Sequence, residues 1–495
     1  MRILFIYSIQ KSITRDKPLL GQEGIYFGIS LLSALLKKQG YLCDLAVLDR
    51  RHKLQNNIRI VSKKIESFKP DVVSFTAVHS EFDFICNAAS RVKGLFPHLF
   101  LYAGGVHITL NPDEKYLEIF DAFCVGEGEY PTLELIRALE TGEDISNIPN
   151  LWVKSAGVVT KNACRPFIEN LDELPFPDRD IWQPWILNPD TRFSVLVGRG
   201  CPFNCTYCCN HQLRKISRGK YVRFRSPENV IAEIRDLHER FPNVDEVYLE
   251  VETLGVDLKW VDVFCEKLRQ FGEETGFALK FGTNLRIFPS LNIDFVFGCF
   301  KKANITSVTI GLESGSYRIR KEILNRDYSN EIILQAAQTA KKYDIDIALF
   351  NMVGLPTETP LEFSETLGMN QTIQPSFHAT SIFFPYQGTK LYTICEQMGL
   401  LPANLETKDE RQIARLNLPG FSRKQIQRSF DSFHYNVYKQ KEGRSALKLA
   451  VYYSMQYLGH NFYANLKIFV IRLLHNLRNK RFLNRDFFSI FQKSK

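Results

Sequence analysis

At 495 residues the chain is too long for one ordinary core, and two or three domains are expected. A composition of 45% hydrophobic and 24% charged residues excludes a disordered or fibrous protein. The net charge of +9 is not a general nucleic-acid signal, because residues 441–495 hold eleven Lys or Arg against two acids and the first 440 residues balance to zero.

The first run, MRILFIYS, has one basic residue and a short apolar stretch that reads as a buried strand. No small-residue cleavage site follows, so a secretory leader is not expected. Eleven cysteines in that context fit a reducing cytoplasm with free or metal-bound thiols. Next comes YFGISLLSALLKKQG, apolar at helical spacing and stopped at Gly40. Then LCDLAVLD, a helix around 60–68, DVVSFTAV, a helix around 84–92, LFLYAGG, DAFCVGEGE and PTLELIRALETG continue the alternation. Strands separated by such helices predict a parallel sheet covered on both faces, with ligands at the C-terminal strand ends. Residues 1–146 are therefore read as one Rossmann-like domain.

Residues 147–191 have the Pro-rich, acidic and aromatic composition of a linker lying against a domain surface. From Phe193 a second alternation begins: FSVLVGRG, EVYLEV, ALKFGTN, SVTIGLES, IDIALFNMVG and ATSIFFPY, with five helical stretches between. Six β-α repeats over 192–400 predict a partial (β/α)6 barrel, whose functional groups sit at the C-terminal strand ends. Residues 401–495 read as a helical C-terminal region. From Leu466, apolar residues recur at i, i+3, i+4, i+7, i+8 and i+11, with Lys467, Arg472, His475 and Arg478 on the other side, a basic amphipathic helix. Two placements are open to it: docking on the barrel, or a peripheral contact with anionic lipid at the inner face of the membrane. No run of about 18 apolar residues predicts a transmembrane span.

The stretch GRGCPFNCTYCCN gathers four cysteines directly after the first strand of the second set. Cys201, Cys205 and Cys208 are spaced C-x3-C-x2-C, and Cys209 stands beside them as a spare. A closed zinc site needs four ligands, and no second pair lies at finger-like spacing. Three thiolates on an iron–sulfur cube leave one iron open, which suits the pattern better.

This motif, C-x3-C-x-aromatic-C with Tyr207 as the aromatic, resembles that of the radical S-adenosylmethionine (SAM) superfamily. The resemblance implies a [4Fe–4S] cluster on Cys201, Cys205 and Cys208, SAM chelated to its open iron, and an external electron donor of flavodoxin or ferredoxin type. It also implies a 5′-deoxyadenosyl radical that takes hydrogen from substrate. Further stretches resemble the branch with an N-terminal cobalamin-binding domain. YLEVETLGVD keeps one of the usual paired acids, so Glu252 is implied to hold the SAM amine. TNLRI (Arg286) and GLESGS (Glu313, Ser314) resemble the strand ends that meet SAM's carboxylate and ribose. GLPTET (Gly354) resembles the turn near adenine, and YQGTKLY the usual Pro-Gly-Thr-x-Leu stretch with Gln387 in place of proline. Taken singly, Arg286 and Glu313 read equally well as structural ion pairs.

In the first domain, AGGVHITLNPDE and CVGEGEYPTLELI resemble the cobalamin-binding domain of the same branch. Gly104 and Gly105 would let the backbone approach a bulky corrinoid, and Ser74 and Thr76 would face its nucleotide tail. The D-x-H-x2-G fingerprint is absent: Asp49 and His52 are three apart and no glycine follows. His52 is thus expected at the surface, and cobalt is expected to lack a histidine lower ligand. His107 is a second candidate, in a stretch that in this branch serves the nucleotide loop.

The implied activity is methylation of an unactivated carbon of a small-molecule or lipid-like substrate through methylcobalamin. Alternatives are cyclisation or oxidation by the same cofactors, a non-catalytic corrinoid or electron carrier, and methylthiolation of RNA. The last needs three further N-terminal cysteines. Cys43, Cys86 and Cys124 exist, but they fall in strand and helix patterns rather than loops. No nucleic-acid partner is expected.

Overall fold

Residues 2–9 (RILFIYSI) form a strand whose alternate side chains enter two different cores: Ile3 and Phe5 pack on one side, Leu4 and Ile6 on the other. A strand apolar on both faces must lie inside a sheet covered twice. The computed structural model describes residues 1–439 other than Lys11, Arg15 and Ala156, and divides them into two compact units. The first unit comprises Met1–Arg286, Gly298–Thr306 and Pro385–Glu410; the second comprises Ile287–Phe297, Ser307–Phe384 and the residues from Arg411 onward.

In chain order the first unit contains β1 (Arg2–Ile9), α1 (Phe27–Lys38), β2 (Leu42–Asp49), α2 (Leu54–Phe68), β3 (Val72–Thr76), α3 (Phe82–Leu95), β4 (Phe100–Gly104), α4 (Val106–Leu110), β5 (Ala122–Cys124) and α5 (Glu129–Thr141). The strand order is β2-β1-β3-β4-β5, all parallel. Helices α1 and α5 supply Ile29, Leu36, Leu135 and Ile136 to one core. Helices α2 and α3 supply Val61, Ile65, Ile85 and Ala89 to the other. This is a doubly wound sheet, whose ligands bind beyond the C-terminal strand ends.

The stretch read as a linker departs from expectation at its start. Residues 151–161 form β6 (Leu151–Ser155) and β7 (Val158–Lys161), an antiparallel hairpin added to β5 at the sheet edge. Beyond it the chain runs in short turns, and Trp182, fully buried, donates its indole N–H to Ser30 at 2.8 Å. The stretch is anchored in the core as well as lying on it.

The second alternation begins with β8 (Phe193–Leu196), then β9 (Gly198–Arg199), α6 (Asn210–Leu213), β10 (Arg223–Phe224), α7 (Pro227–Arg240), β11 (Glu246–Glu250), α8 (Leu258–Thr275) and β12 (Lys280–Leu285). Strands β8, β11 and β12 are parallel neighbours, and β9 pairs antiparallel with β10. Helix α7 starts as the Ser-Pro signal predicts: the Ser226 hydroxyl accepts from Asn229 N at 3.1 Å, with Pro227 at the first position. Such a cap contributes about 1 kcal/mol. After α9 (Ile293–Lys302) come β13 (Ile305–Glu313), α10 (Asn330–Lys342), β14 (Asp346–Val353), α11 (Pro360–Ile373) and β15 (Phe377–Ile382). In the second unit β13, β14 and β15 are again parallel neighbours. Each unit thus holds three parallel strands of the predicted β-α alternation.

Helix α12 (Lys390–Gln397) belongs to the first unit and α13 (Arg423–Tyr438) to the second. Residues 401–422 are turns and extended chain, where a helical reading was expected. Pro402 and Asn404 near their start and Pro419-Gly420 near their end interrupt any helix. The amphipathic helix expected from Leu466 lies outside the described residues.

Candidate active site

The cysteine loop is held from behind by the β9–β10 pair. Gly198 and Gly200 are required there: a Cβ on Gly198 would stand 2.6 Å from the Arg223 carbonyl oxygen, and one on Gly200 (φ +87°) would overlap the Tyr221 carbonyl. The loop then turns tightly, with Cys208 N donating to Cys205 O at 3.2 Å, and α12 pins it through Leu391 N donating to Thr206 O at 2.8 Å. Cys205 is buried; Cys201, Cys208, Cys209 and Tyr207 are half-buried.

Burial pushes the Cys201 thiol up to about 11. Cys208 is drawn well below the ordinary thiol range, chiefly by a hydrogen bond from the Cys209 thiol, which is itself pushed up. The Arg286 guanidinium contacts Cys205 Sγ and lies 3.9 Å over the Phe203 ring, while its backbone N donates to Thr253 Oγ1 at 3.1 Å. Among the described residues no three His, Cys, Asp or Glu side chains converge as on a single ion. A cube makes no such demand, since each thiolate takes a separate iron. The donor set fits an iron–sulfur cluster.

A cavity of about 420 Å³ lies in the first unit. Ser74, Thr76, Gly104 and Gly105 line it from the ends of β3 and β4; Cys209, Asn210, Tyr221 and Glu252 line it from the cysteine-loop side. Thus the four residues expected to meet cobalamin share one cavity with the acid expected to meet SAM. Gly105 has φ +107°, and a Cβ there would lie 2.9 Å from both Ala77 O and Thr76 Oγ1. Gly104 differs: a Cβ would meet only Cys124 Cβ at 3.8 Å, an ordinary contact. No protein atom demands glycine at 104, and its bare backbone lines the cavity. This cradle fits a corrinoid face. Glu252 is accessible to solvent yet ringed by protein atoms, and that enclosure raises its pKa against the lowering by the Gly200 N–H and by Arg199 and Arg223.

Sequence reasoning missed the groups that tie these two loops together. Glu127 and Glu129 of the GEGE loop meet Arg199 of β9, and Glu127 also meets Arg223 of β10. The Arg199 Nη1–Glu127 Oε1 and Arg223 Nη2–Glu127 Oε1 separations are both 2.9 Å, and Arg199 Nη2 contacts Glu129 Oε1. The signal available was two glutamates set among glycines and apolar residues, where buried charge needs a partner.

In the second unit, Glu313 ends β13 at a bulge with φ +63° and stands 3.4 Å from Arg326 Nη1, which makes the ion-pair reading concrete. A non-glycine residue in that conformation is strained, and strain of this kind gathers at functional sites. Ser314 is fully buried, its hydroxyl accepting from Ser316 N at 3.2 Å and 3.5 Å from Thr366 Oγ1. Gly354 (φ +80°) donates its N–H to Glu358 Oε2 at 2.7 Å. Glu358, another residue missed from the sequence, is fully buried and pushed up to about 8 by that burial.

His52 is 39% exposed and 3.5 Å from Asp49, at the end of edge strand β2, and does not line the cavity. His107 is buried, its Nδ1 3.2 Å from His79 Nδ1, and burial pushes it down to about 4. Cys43 lies on β2 and Cys124 on β5, four strand spacings apart, roughly 19 Å. With Cys86 on α3, the three are not gathered as ligands of one cluster.

Residues 195–369 match the radical SAM superfamily and residues 20–136 match the B12 binding domain. The chain thus carries a radical SAM domain. More particularly, a B12-binding domain precedes it. It is 27% identical over 423 residues to the uncharacterized methyltransferase PH0819 of Pyrococcus horikoshii, covering 81% of this chain and 84% of that one. It is 26% identical over 376 residues to the anaerobic magnesium-protoporphyrin IX monomethyl ester cyclase of Rubrivivax gelatinosus, covering 74% of this chain and 65% of that enzyme. Its fold resembles the radical SAM methyltransferase TsrM of Kitasatospora setae, solved with cobalamin and a [4Fe–4S] cluster, at a TM-score of 0.62 and 14% identity over 88% of each chain. Among the described residues no helix is long and apolar enough to cross a membrane.

Proposed function

We propose that this chain is a cobalamin-dependent radical SAM enzyme that methylates an unactivated carbon of a small-molecule substrate. The observation that carries this reading is the single cavity lined both by Gly104 and Gly105 and by Cys209 and Glu252. Cys201, Cys205 and Cys208 would hold a [4Fe–4S] cluster, with Tyr207 and Arg286 beside it. Glu252 would take the SAM amine; Glu313, Ser314 and Gly354 would meet the rest of that nucleotide. Ser74, Thr76, Gly104 and Gly105 would seat the corrinoid. When bound, these groups supply a substrate-abstracting radical and a transferable methyl group.

The chain's own part is to exclude water and fix positions. Phe5, Leu196 and Ile216 give the cavity apolar walls, and Glu252, a carboxyl with raised pKa, lines it as well. Electrons would come from a flavodoxin- or ferredoxin-type donor. The basic tail supports a peripheral lipid contact by its sequence alone. The likeness to PH0819 over most of both chains supports methyl transfer. The likeness to a cyclase favours ring formation as the second reading. Incubation with methyl-labelled SAM, hydroxocobalamin and a reductant separates them: label is expected in product, and 5′-deoxyadenosine formed without labelled product overturns methylation.

A further inference from the structure

Four charged side chains on the cavity wall form one zigzag: Glu129, Arg199, Glu127, Arg223. Arg199 is shared by two carboxylates and Glu127 by two guanidiniums. Arg223 is 3% exposed and Glu129 7%, so these charges are largely withdrawn from water. Buried ion pairs add little net stability over apolar packing, and their best-attested use is to fix one register of two elements.

The backbone around them has little slack. Arg199 is flanked by Gly198, pressed against β10, and Gly200, pressed against Tyr221 just before it, and Arg199 pairs in register with Arg223. Cys201 follows two residues later. On the other side, Gly126 (φ +97°) and Gly128 flank Glu127, both glycines line the cavity, and Glu129 opens α5. A carboxylate at a helix N-terminus is favoured there even before it finds a cation. Glu127 also accepts from Ile168 N at 2.8 Å and Arg223 donates to Ile168 O at 2.6 Å, so the anchored stretch after β7 is drawn into the same lattice. A shift of the GEGE loop is therefore passed through one side chain to the residue pair before Cys201.

We propose that Arg199 is a positioning residue that makes the glycine–glutamate loop of the corrinoid cradle and the cysteine loop move as one, so that loading the cradle is felt at the cluster. This rests on the proposed function and goes beyond it. In that arrangement Arg199, on the wall of the cavity, acts on the cysteine loop through its pairs with Glu127 and Glu129.

The test compares Arg199→Lys, Arg199→Gln and Glu127→Gln with the unaltered full chain, each reconstituted with iron and sulfide. The cluster's midpoint potential and its reduced-state electron paramagnetic resonance spectrum are recorded before and after adding hydroxocobalamin. In the unaltered protein, corrinoid loading is expected to shift both. In Arg199→Gln and Glu127→Gln the shift is expected to vanish, with hydroxocobalamin bound at least tenfold more weakly; Arg199→Lys should restore part of it. Glu233→Gln, which loosens a buried pair with Arg179 and Arg225 away from the cavity lining, controls for lost stability and should leave the shift intact. Loading without any shift in the unaltered protein overturns the inference. So does a shift that persists in Arg199→Gln, or one that Glu233→Gln abolishes equally. Failure of the unaltered, cluster-loaded protein to bind hydroxocobalamin at all refutes the proposed function instead.

Discussion

Replacing Glu127 by alanine should be among the most damaging changes available in the first unit. The carboxylate receives four hydrogen bonds: from Arg199 Nη1 at 2.9 Å, Arg223 Nη2 at 2.9 Å, Arg223 Nη1 at 3.1 Å and Ile168 N at 2.8 Å. Arg199 keeps Glu129 when Glu127 is lost, so the main cost falls on Arg223, 3% exposed and stripped of its carboxylate. Leaving one member of a buried pair uncompensated costs about 3–5 kcal/mol. The lower figure is apt because the Glu127 side chain is 17% exposed. About 3 kcal/mol is roughly two decades in a local opening equilibrium. Amide hydrogen exchange at Ile168, whose N–H points at the missing oxygen, should accelerate by about that factor, and urea unfolding should shift in parallel. The double change Glu127→Ala/Arg223→Met should recover part of the loss, because nothing charged is then abandoned. Under about 1 kcal/mol for the single change, with Ile168 exchange unaltered, would mean the pair is not desolvated and the reasoning is wrong. The pH dependence has a definite sign. Burial alone would raise the Glu127 pKa, but Arg223 and Arg199 outweigh it and the net shift is downward. A folded-state value below the unfolded one contributes stability that is present above the unfolded value and lost as pH falls through the folded one. Glu127→Ala should lack that acid-side loss.

Gly104→Ala and Gly105→Ala should separate folding from ligand binding. The first should leave the melting temperature within a degree or two while weakening hydroxocobalamin binding; the second should lower both, since φ +107° and two 2.9 Å contacts oppose a Cβ. Alanine at Cys201, Cys205 or Cys208 should abolish iron retention after anaerobic reconstitution, whereas Cys209→Ala should keep about four irons per chain. Iron retained by all three of the former would refute the cluster assignment. Glu358, raised to about 8 by burial, holds its proton when folded and releases it near pH 4.5 when unfolded, so the folded state should lose stability as pH climbs from 4.5 to 8. Thermal melts of Glu358→Gln at pH 5 and pH 9 should show a smaller drop than the parent.

Most strands were legible because they are buried on both faces. LFIY and DVVSF read as continuous apolar runs, and only an interior position in a doubly covered sheet explains such runs. The cysteine loop was legible from spacing, and its place after β8 from the alternation around it. The hairpin β6–β7 was not read, although Trp152 and Lys154 alternate with Leu151 and Val153 before Gly157. The Pro-rich stretch that follows masked a short period-2 signal. The Glu127–Arg199–Arg223 lattice was illegible for a different reason: its partners are 72 and 96 residues apart, and pairing across such distances leaves no periodic trace. Ser314 shows what a motif position leaves open: its hydroxyl accepts from the neighbouring Ser316 N–H, a local bond that no spacing announces.

The β6–β7 hairpin also decides where the chain can be cut. Strand β5 is only three residues long, and β6 covers its outer side through Ala122, Phe123 and Cys124. Severing the chain at 146 would bare that ladder as a template for self-association, whereas keeping residues through Lys161 retains a four-residue border carrying Lys161. The natural frontier of the first sheet therefore lies past residue 161, and proteolytic excision should be judged by which side of that hairpin the scissors fall.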